Sequence, residues 1–593
     1  MRKSNSLPWR RNFAERYSAS VNWTWKGPRL SMSLHQNLRI LLLVILCSLG
    51  FFSDQGPENG ILNLSIIDEL SGKLVPARVE VLDKNGKTYV AEDALSIEQP
   101  LVLLNKREFN PYTRTEQFYT HGSCRMSLAP GRYRLRVYKG IEYRVPIREV
   151  DIQAGRTVEL RVNLSRWIDL PKQGWYGADD HIHIPRPVKE LDPAISKWMQ
   201  AEDLHVANLL QFGHSKDFRQ TIQYQHGPGG IYQEGNYILA SGQENPRTDF
   251  LGHTVILGAT SPINFPDNYV VYKLFWEEAK RQGALSGYAH YGLYGGAQYG
   301  LSVDLPYNLI NFLEVVQADA GIYDVWYDIL NLGIPMTPTA GSDYFPSESV
   351  KLMLPGRERF YTQVRETLTY PAWLSGVRAG RTFVTNGPVL EFQVDGKGLG
   401  EEVALKKPGS VLLEGTVRFD PARDNVRRLE LIENGELLRS FPRRAGSSEI
   451  RFRFSHEVKQ SSWLAVRASG NKVGEAQLPQ PADAVSSNFV WTSAVTWGEA
   501  YFPPSVCHSA AIYVTIENGP TLSAHPRAKV LARTWLARLE NLEMRLAEDQ
   551  LQYLAEPPPG FSDGVDPDYL RENRPALLEV VRVSKKYFSD RAR

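Results

Sequence analysis

The strongest constraint on the fold is a change of hydrophobic period along the chain. From about residue 167 to residue 388, helical stretches alternate with short apolar runs. DNYVVYKLFWEEAKRQ (267–282) stops at Gly283 before ALSGYAH, and IYDVWYDILNL ends at Gly333 before IPMTPTA. YPAWLSGVRA stops at Gly380 before RTFVTNGP. Asp192-Pro193 is a helix-start signal, with Ile195, Trp198 and Met199 on one face, and the strand-like VANLLQFG follows. Helix, glycine, strand, repeated, predicts an α/β domain: a parallel sheet with crossover helices, open or closed into a barrel.

The flanking segments follow another rule. In 60–165, Leu62, Leu64 and Ile66 alternate with polar neighbours, as do Tyr133, Leu135 and Val137, then Val158, Leu160, Val162 and Leu164. Period two marks half-buried strands, and Asn85-Gly86 and Pro130-Gly131 supply turns, so a small β-sandwich is predicted. Alternation returns in 389–520, where Ile450, Phe452 and Phe454 flank Arg451 and Arg453 and Asn434-Gly435 marks a hairpin; this is a second β module. In 521–593, Leu531, Trp535, Leu539, Leu542 and Leu546 make an apolar helical stripe, expected to lie against the body of the protein. A second helix starts at Asp566-Pro567.

The N-terminal 1–53 stands apart. Residues 1–39 hold Arg2, Lys3, Arg10, Arg11, Arg16, Lys26, Arg29 and Arg39 against the single acid Glu15, and the apolar run Ile40–Phe52 follows. That run is shorter than the roughly 20 residues a membrane-spanning helix needs, so it reads as a secretory signal, with an uncleaved membrane anchor as the alternative. Met32 would give the signal a tidier start. The predicted location is exported, periplasmic or at the cell surface. Over the whole chain, 68 Lys and Arg against 66 Asp and Glu leave a net charge of +2, which argues against nucleic acid as a partner. Three cysteines exclude a thiolate zinc site by count.

Seven of the 12 histidines fall between 181 and 290: His181, His183, His205, His214, His226, His253 and His290. In a strand, His181 and His183 present two imidazoles on one side, either as metal ligands or as polar residues on an exposed face. The other apolar runs decide between these readings. VANLLQFG ends at His214, YILASGQ at Glu244, ALSGYA at His290 and PMTPTAGS at Asp343, while His253 lies nine residues beyond Glu244. Strand C-termini of parallel α/β proteins face one rim, where sites are built. A His/Glu/Asp set without thiolates suits a hydrolytic centre of one or more divalent metals such as zinc, manganese or iron. Asp179 and Asp180 are placed to orient imidazoles, and Glu314 is a supporting group rather than a ligand. His205 reads as structural and His226 as part of a solvated loop. No Gly-x-Ser-x-Gly elbow, P-loop or His-Glu-x-x-His helix occurs.

GWYGADDHIH, GQE…GHT, GYAH, FLEVVQAD, GSD and GVRAGRTFVTNGPVLEFQVDG resemble the carbaryl-hydrolase-like (CehA/McbA) family, a branch of the polymerase-and-histidinol-phosphatase (PHP) metallohydrolases. The match spans about 167–400. It implies a distorted (β/α)7 barrel in which His181, His183, Glu244 and Asp343 hold one metal. Glu244 would bridge to a second, held by His253 and His290, and His214 would stand at the edge of the cluster. Two departures bear on metal count. Phe345 occupies the histidine position of the family's Gly-Ser-Asp-x-His, and IPRP replaces the Ser-Asp-Gly that follows His-x-His. Both missing groups belong to a third site, so two metals are expected. The implied activity is attack of metal-activated water on an ester, amide or carbamate bond of a small molecule. The alternatives are a phosphoesterase and a non-catalytic cell-surface binding protein.

Overall fold

Leu62, Leu64 and Ile66 of the first strand, Gly60–Asp68, are buried, while Asn63 and Ser65 between them are half-buried. That strand runs parallel to Thr157–Leu164 and antiparallel to Ser123–Leu128. The resulting three-stranded sheet shares one core with a five-stranded sheet built around Ala77–Asp83 and Gly131–Tyr138. The structure is a computed structural model and describes residues 58–593 apart from 100–101, 105, 111, 215–216, 291–296, 318–319, 347–353, 476–477, 480–488, 491–499, 502–503, 548–549 and 552–563. The signal or anchor read in 1–53 lies outside the described residues. Among them, no helix is long and apolar enough to cross a membrane.

The middle of the chain corrects the fold expected from its sequence. It does not form a (β/α)7 barrel: strand makes up 42% of the structure and helix 24%, and the strands join large sheets of mixed direction. Trp175–Ile182, Val206–His214 and Tyr237–Thr248 are parallel neighbours, as are Leu285–Tyr288, Phe312–Gln317 and Thr337–Ala340. Between these groups Gly252–Leu257 is antiparallel to both of its partners, and Arg359–Gln363 is antiparallel to Trp175–Ile182 and to Thr382–Thr385. Only residues 249–251 join Tyr237–Thr248 to Gly252–Leu257, too few for a parallel crossover. Elsewhere a helix does intervene, Tyr272–Arg281 before Leu285–Tyr288 and Tyr370–Arg378 before Thr382–Thr385, yet the strands it joins are antiparallel. A helix between two strands permits a parallel crossover without requiring one, and the sequence pattern does not carry that difference.

The sheet also continues past residue 388. Thr382–Thr385 pairs with Pro504–Ser509, which pairs in turn with Ser462–Lys472, so the C-terminal strands extend the sheet that carries the central ones. A separate sheet of Val389–Val394, Gly409–Arg418 and Glu449–Val458 shares one core with this extension, to which Phe392, Leu413, Leu431 and Val466 all belong. The helices Pro526–Arg545 and Pro567–Ala592 close the chain. Trp535, Leu539, Leu542 and Leu546 are fully buried in the central core, and the Trp535 ring lies 5.9 Å from that of Phe588.

Candidate metal centre

Several strands of the central sheet bring the histidines and carboxylates together. His181 sits near the end of Trp175–Ile182, and His183 follows it. The His183 N–H donates to the Tyr344 carbonyl (2.8 Å), fixing the neighbouring Asp343 beside it. Glu244 lies within Tyr237–Thr248, opposite Phe212 in the parallel register. His253 opens the return strand, opposite Arg247. His290 follows Leu285–Tyr288, and its neighbour's Ala289 N–H donates to the His253 carbonyl (3.0 Å). His290 and Asp343 both take positive φ, 29° and 53°, which turns each side chain off its strand line.

The six side chains fall into two groups that share Glu244. On one side, His181 Nε2 and His183 Nε2 are 3.1 Å apart, and Asp343 Oδ1 lies 3.3 Å from the first and 3.2 Å from the second. Glu244 Oε2 is 3.4 Å from His183 Nε2 and 3.7 Å from His181 Nε2. On the other side, Glu244 Oε1 is 2.9 Å from His253 Nδ1 and 3.5 Å from His290 Nε2, and those two nitrogens are 3.2 Å apart. Two atoms bound at about 2.1 Å to one tetrahedral ion stand about 3.4 Å apart, so both groups have the spacing of ligand sets. The nitrogen and carboxylate donors suit zinc, manganese or iron.

Surrounding groups hold this arrangement. Glu314 Oε1 is 2.8 Å from His181 Nδ1, which leaves Nε2 facing the cluster, and Glu314 Oε2 accepts from the His290 N–H (2.6 Å). Asp179 accepts from the His181 and Ser342 N–H groups (3.0 Å each), the Ser342 hydroxyl (2.5 Å) and the Gly356 N–H (2.8 Å). It therefore ties the His181 strand to the loop bearing Asp343. Gly341 is required by close approach: a Cβ there would stand 2.4 Å from His181 Cβ and 2.7 Å from Asp180 Oδ1.

The electrostatics are those of a crowded acidic cluster. Burial pushes Asp180 well above the usual carboxylate range, and the Glu314 charge adds to it. Burial also raises Asp179, to about 6, against the hydrogen bonds it accepts. For Glu244 burial acts upward but is outweighed by the Arg247 and His253 charges, which hold it well below its ordinary value. Burial opposes protonation of His181, yet Glu314, Asp343 and Glu244 together raise it well above the ordinary imidazole value. Buried carboxylates here favour a positive charge on the neighbouring His181 imidazole.

Not every residue singled out in the sequence joins the centre. His214 ends its strand, pairing with Asp217, and its side chain lies outside the described residues. His205 is buried and stacks on Tyr237 (5.3 Å, 3°), away from the cluster. His226 corrects the solvated-loop reading: it is 5% exposed, and burial pushes it down to about 4. Phe345 stacks on His183 (4.1 Å, 24°), and Phe212 meets the same ring edge-on at 4.8 Å. Arg247 was missed in the sequence. Its Nη1 lies 2.7 Å from Glu244 Oε2, and its guanidinium lies over the Phe212 ring at 4.8 Å. Its place three residues after Glu244, on the same strand, was the available signal.

No family model matches the chain, and no curated protein matches it. Among solved structures, 19% of the chain is similar to GBS52, the minor pilin of Streptococcus agalactiae, at 18% identity and a TM-score of 0.14. The match takes in 47% of the pilin, less than half its length, and at that score it carries no argument about fold or function.

Proposed function

We propose that the protein is a metal-dependent hydrolase that holds two divalent ions, one on each side of Glu244, and cleaves an ester, amide or carbamate bond of a small molecule. The observation that carries this reading is the division of the Glu244 carboxylate, Oε2 towards His181, His183 and Asp343 and Oε1 towards His253 and His290. The motifs shared with the carbaryl-hydrolase-like family support it. When bound, such ions supply an activated water and polarise the oxygen under attack.

The chain's own residues do the positioning. Glu314, 2.8 Å from His181 Nδ1, would accept a hydrogen bond there and leave Nε2 available to an ion. Asp179 holds the loop that presents Asp343. Phe345 and Phe212 cover one face and edge of His183 with aromatic surface, where a third site would need a polar group. That favours two ions over three. The basic, apolar leader in the sequence makes export part of the same proposal.

Arg247 favours one rival substrate class. A guanidinium 2.7 Å from Glu244 would suit a phosphoryl oxygen, so phosphoester hydrolysis is the second reading. Elemental analysis of the purified full chain tests the centre: about two equivalents of zinc, manganese or iron are expected, with loss in a His181→Ala/His183→Ala double variant. No bound metal in the native chain would overturn the reading. p-Nitrophenyl esters, amides and phosphates then separate the substrate classes, and inactivity on all of them with metal bound would point to a binding protein.

A further inference from the structure

A cavity of about 190 Å³ lies where the N-terminal, central and C-terminal parts of the chain meet, and its lining shares no residue with the ligand set above. Arg78 and Arg136 reach it from the N-terminal strands, Arg357 and Arg359 from the segment entering Arg359–Gln363, and Arg423 and Lys472 from the C-terminal strands and the turn before them. Against these six cations, Glu202 and Glu475 are the only carboxylates among the described lining residues.

Pairing neutralises part of this charge. Arg78 pairs with Glu202, Arg357 with both oxygens of Glu475 (2.7 and 2.9 Å) and more distantly with Glu358, Arg136 with Glu80 (3.3 Å), and Lys472 with Asp424 (2.8 Å). Arg359 and Arg423 are held differently. Arg359 donates to the carbonyls of Gly356 (2.6 Å), Asp203 (3.3 Å) and Glu202 (3.1 Å). Arg423 donates to the carbonyl of Gly140 (2.5 Å). Neither has a carboxylate within ion-pair distance among the described residues. A guanidinium keeps its charge at any ordinary pH, so two such groups beside Arg78 repel one another in a poorly solvated space. Burial works most strongly against the charged form of Arg423; the nearby Asp424 and Glu475 charges favour it, and the Arg78 and Arg359 charges oppose it.

We propose that this cavity binds a small oxyanion of the phosphate type, either free phosphate or the phosphoryl group of a small metabolite. Guanidinium forks match a tetrahedral oxyanion, and pockets between modules are usual ligand sites. The volume admits one small group, not a polymer. A bound anion would tie together all three parts of the chain, since each contributes cations.

The test uses the full chain stripped of metal with a chelator, so that phosphate has no ion to bind elsewhere, at constant ionic strength to remove general screening. Inorganic phosphate, titrated by calorimetry, is expected to bind once with a dissociation constant of about 1 mM or tighter. Arg423→Gln and Arg136→Gln are each expected to weaken it about tenfold or more, while Arg451→Gln, on an exposed strand face, leaves it unchanged. Glycerol phosphate in place of phosphate separates the two sources: tighter binding assigns an organic phosphomonoester, weaker binding free phosphate, and both support the site. Absence of saturable binding overturns it, as does native affinity in the folded variants. Arg136 is partly exposed on a strand, so Arg136→Gln keeps the test decisive if Arg423→Gln does not fold.

Discussion

Glu314 Oε1 lies 2.8 Å from Nδ1 of His181, and the two side chains are fully buried. The other carboxylate oxygen accepts the His290 backbone N–H at 2.6 Å, so one side chain braces residues on both sides of Glu244. Glu314→Gln keeps the shape and one acceptor but loses the negative charge beside His181 Nδ1. Metal affinity is expected to fall about 10- to 100-fold with the fold retained, measured by competition against a chromogenic chelator. Native affinity in Glu314→Gln would reduce this carboxylate to a packing role.

Gly341 makes a separate prediction about the same wall. Alanine would place a methyl group 2.4 Å from His181 Cβ and 3.2 Å from Glu314 Oε1, with no room to yield. Gly341→Ala is expected to lower stability by about 1–3 kcal/mol and to displace His181. Urea denaturation and metal content measure the two effects, and unchanged values of both would refute the steric account.

What the sequence carried and what it did not have physical causes. The alternation at Leu62, Leu64 and Ile66 translates directly into a buried face, because period two is a property of one strand. His181, Glu244, His253, His290 and Asp343 lie close together, but not all at the C-terminal ends of parallel strands as their spacing suggested: Glu244 lies inside Tyr237–Thr248, and His253 opens a strand antiparallel to it. Strand direction is a relation between segments, and Gly252–Leu257 and Arg359–Gln363 run against the direction that a helix–strand alternation implies. The pairing of Thr382–Thr385 with Pro504–Ser509 spans more than a hundred residues and leaves no local trace. Arg247 escaped notice because a single arginine in a strand has no pattern, and its meaning comes only from the Glu244 beside it.

Trp535 tests how far the C-terminal helices belong to the body of the protein. Its ring is fully buried among residues of the central core and lies 5.9 Å from Phe588 of the last helix. Trp535→Ala removes a large apolar volume that rigid neighbours cannot refill, with an expected loss of about 3–5 kcal/mol. A fall in the urea midpoint of the whole transition is the expected result. A change confined to an early, separate transition would mean that the tail unfolds on its own.

Asp304 supplies a pH dependence at a group outside the candidate ligand set. Burial pushes its carboxyl up to about 7, even though Oδ2 accepts from Trp276 Nε1 and the Tyr288 hydroxyl, both at 2.8 Å. In the unfolded chain the same group titrates near its ordinary value of about 3.9. Between these values the folded state binds the proton that the unfolded state has released. Its contribution to stability is therefore complete below about pH 4 and is lost as pH rises through about 7, at up to about 1.4 kcal/mol per pH unit. Asp304→Asn cannot ionise and lacks this slope. Urea denaturation of both proteins between pH 5 and 8 is expected to show the native chain losing stability relative to Asp304→Asn up to about pH 7, then running parallel to it. Parallel curves across the whole range would place the Asp304 carboxyl in an ordinary, ionised state.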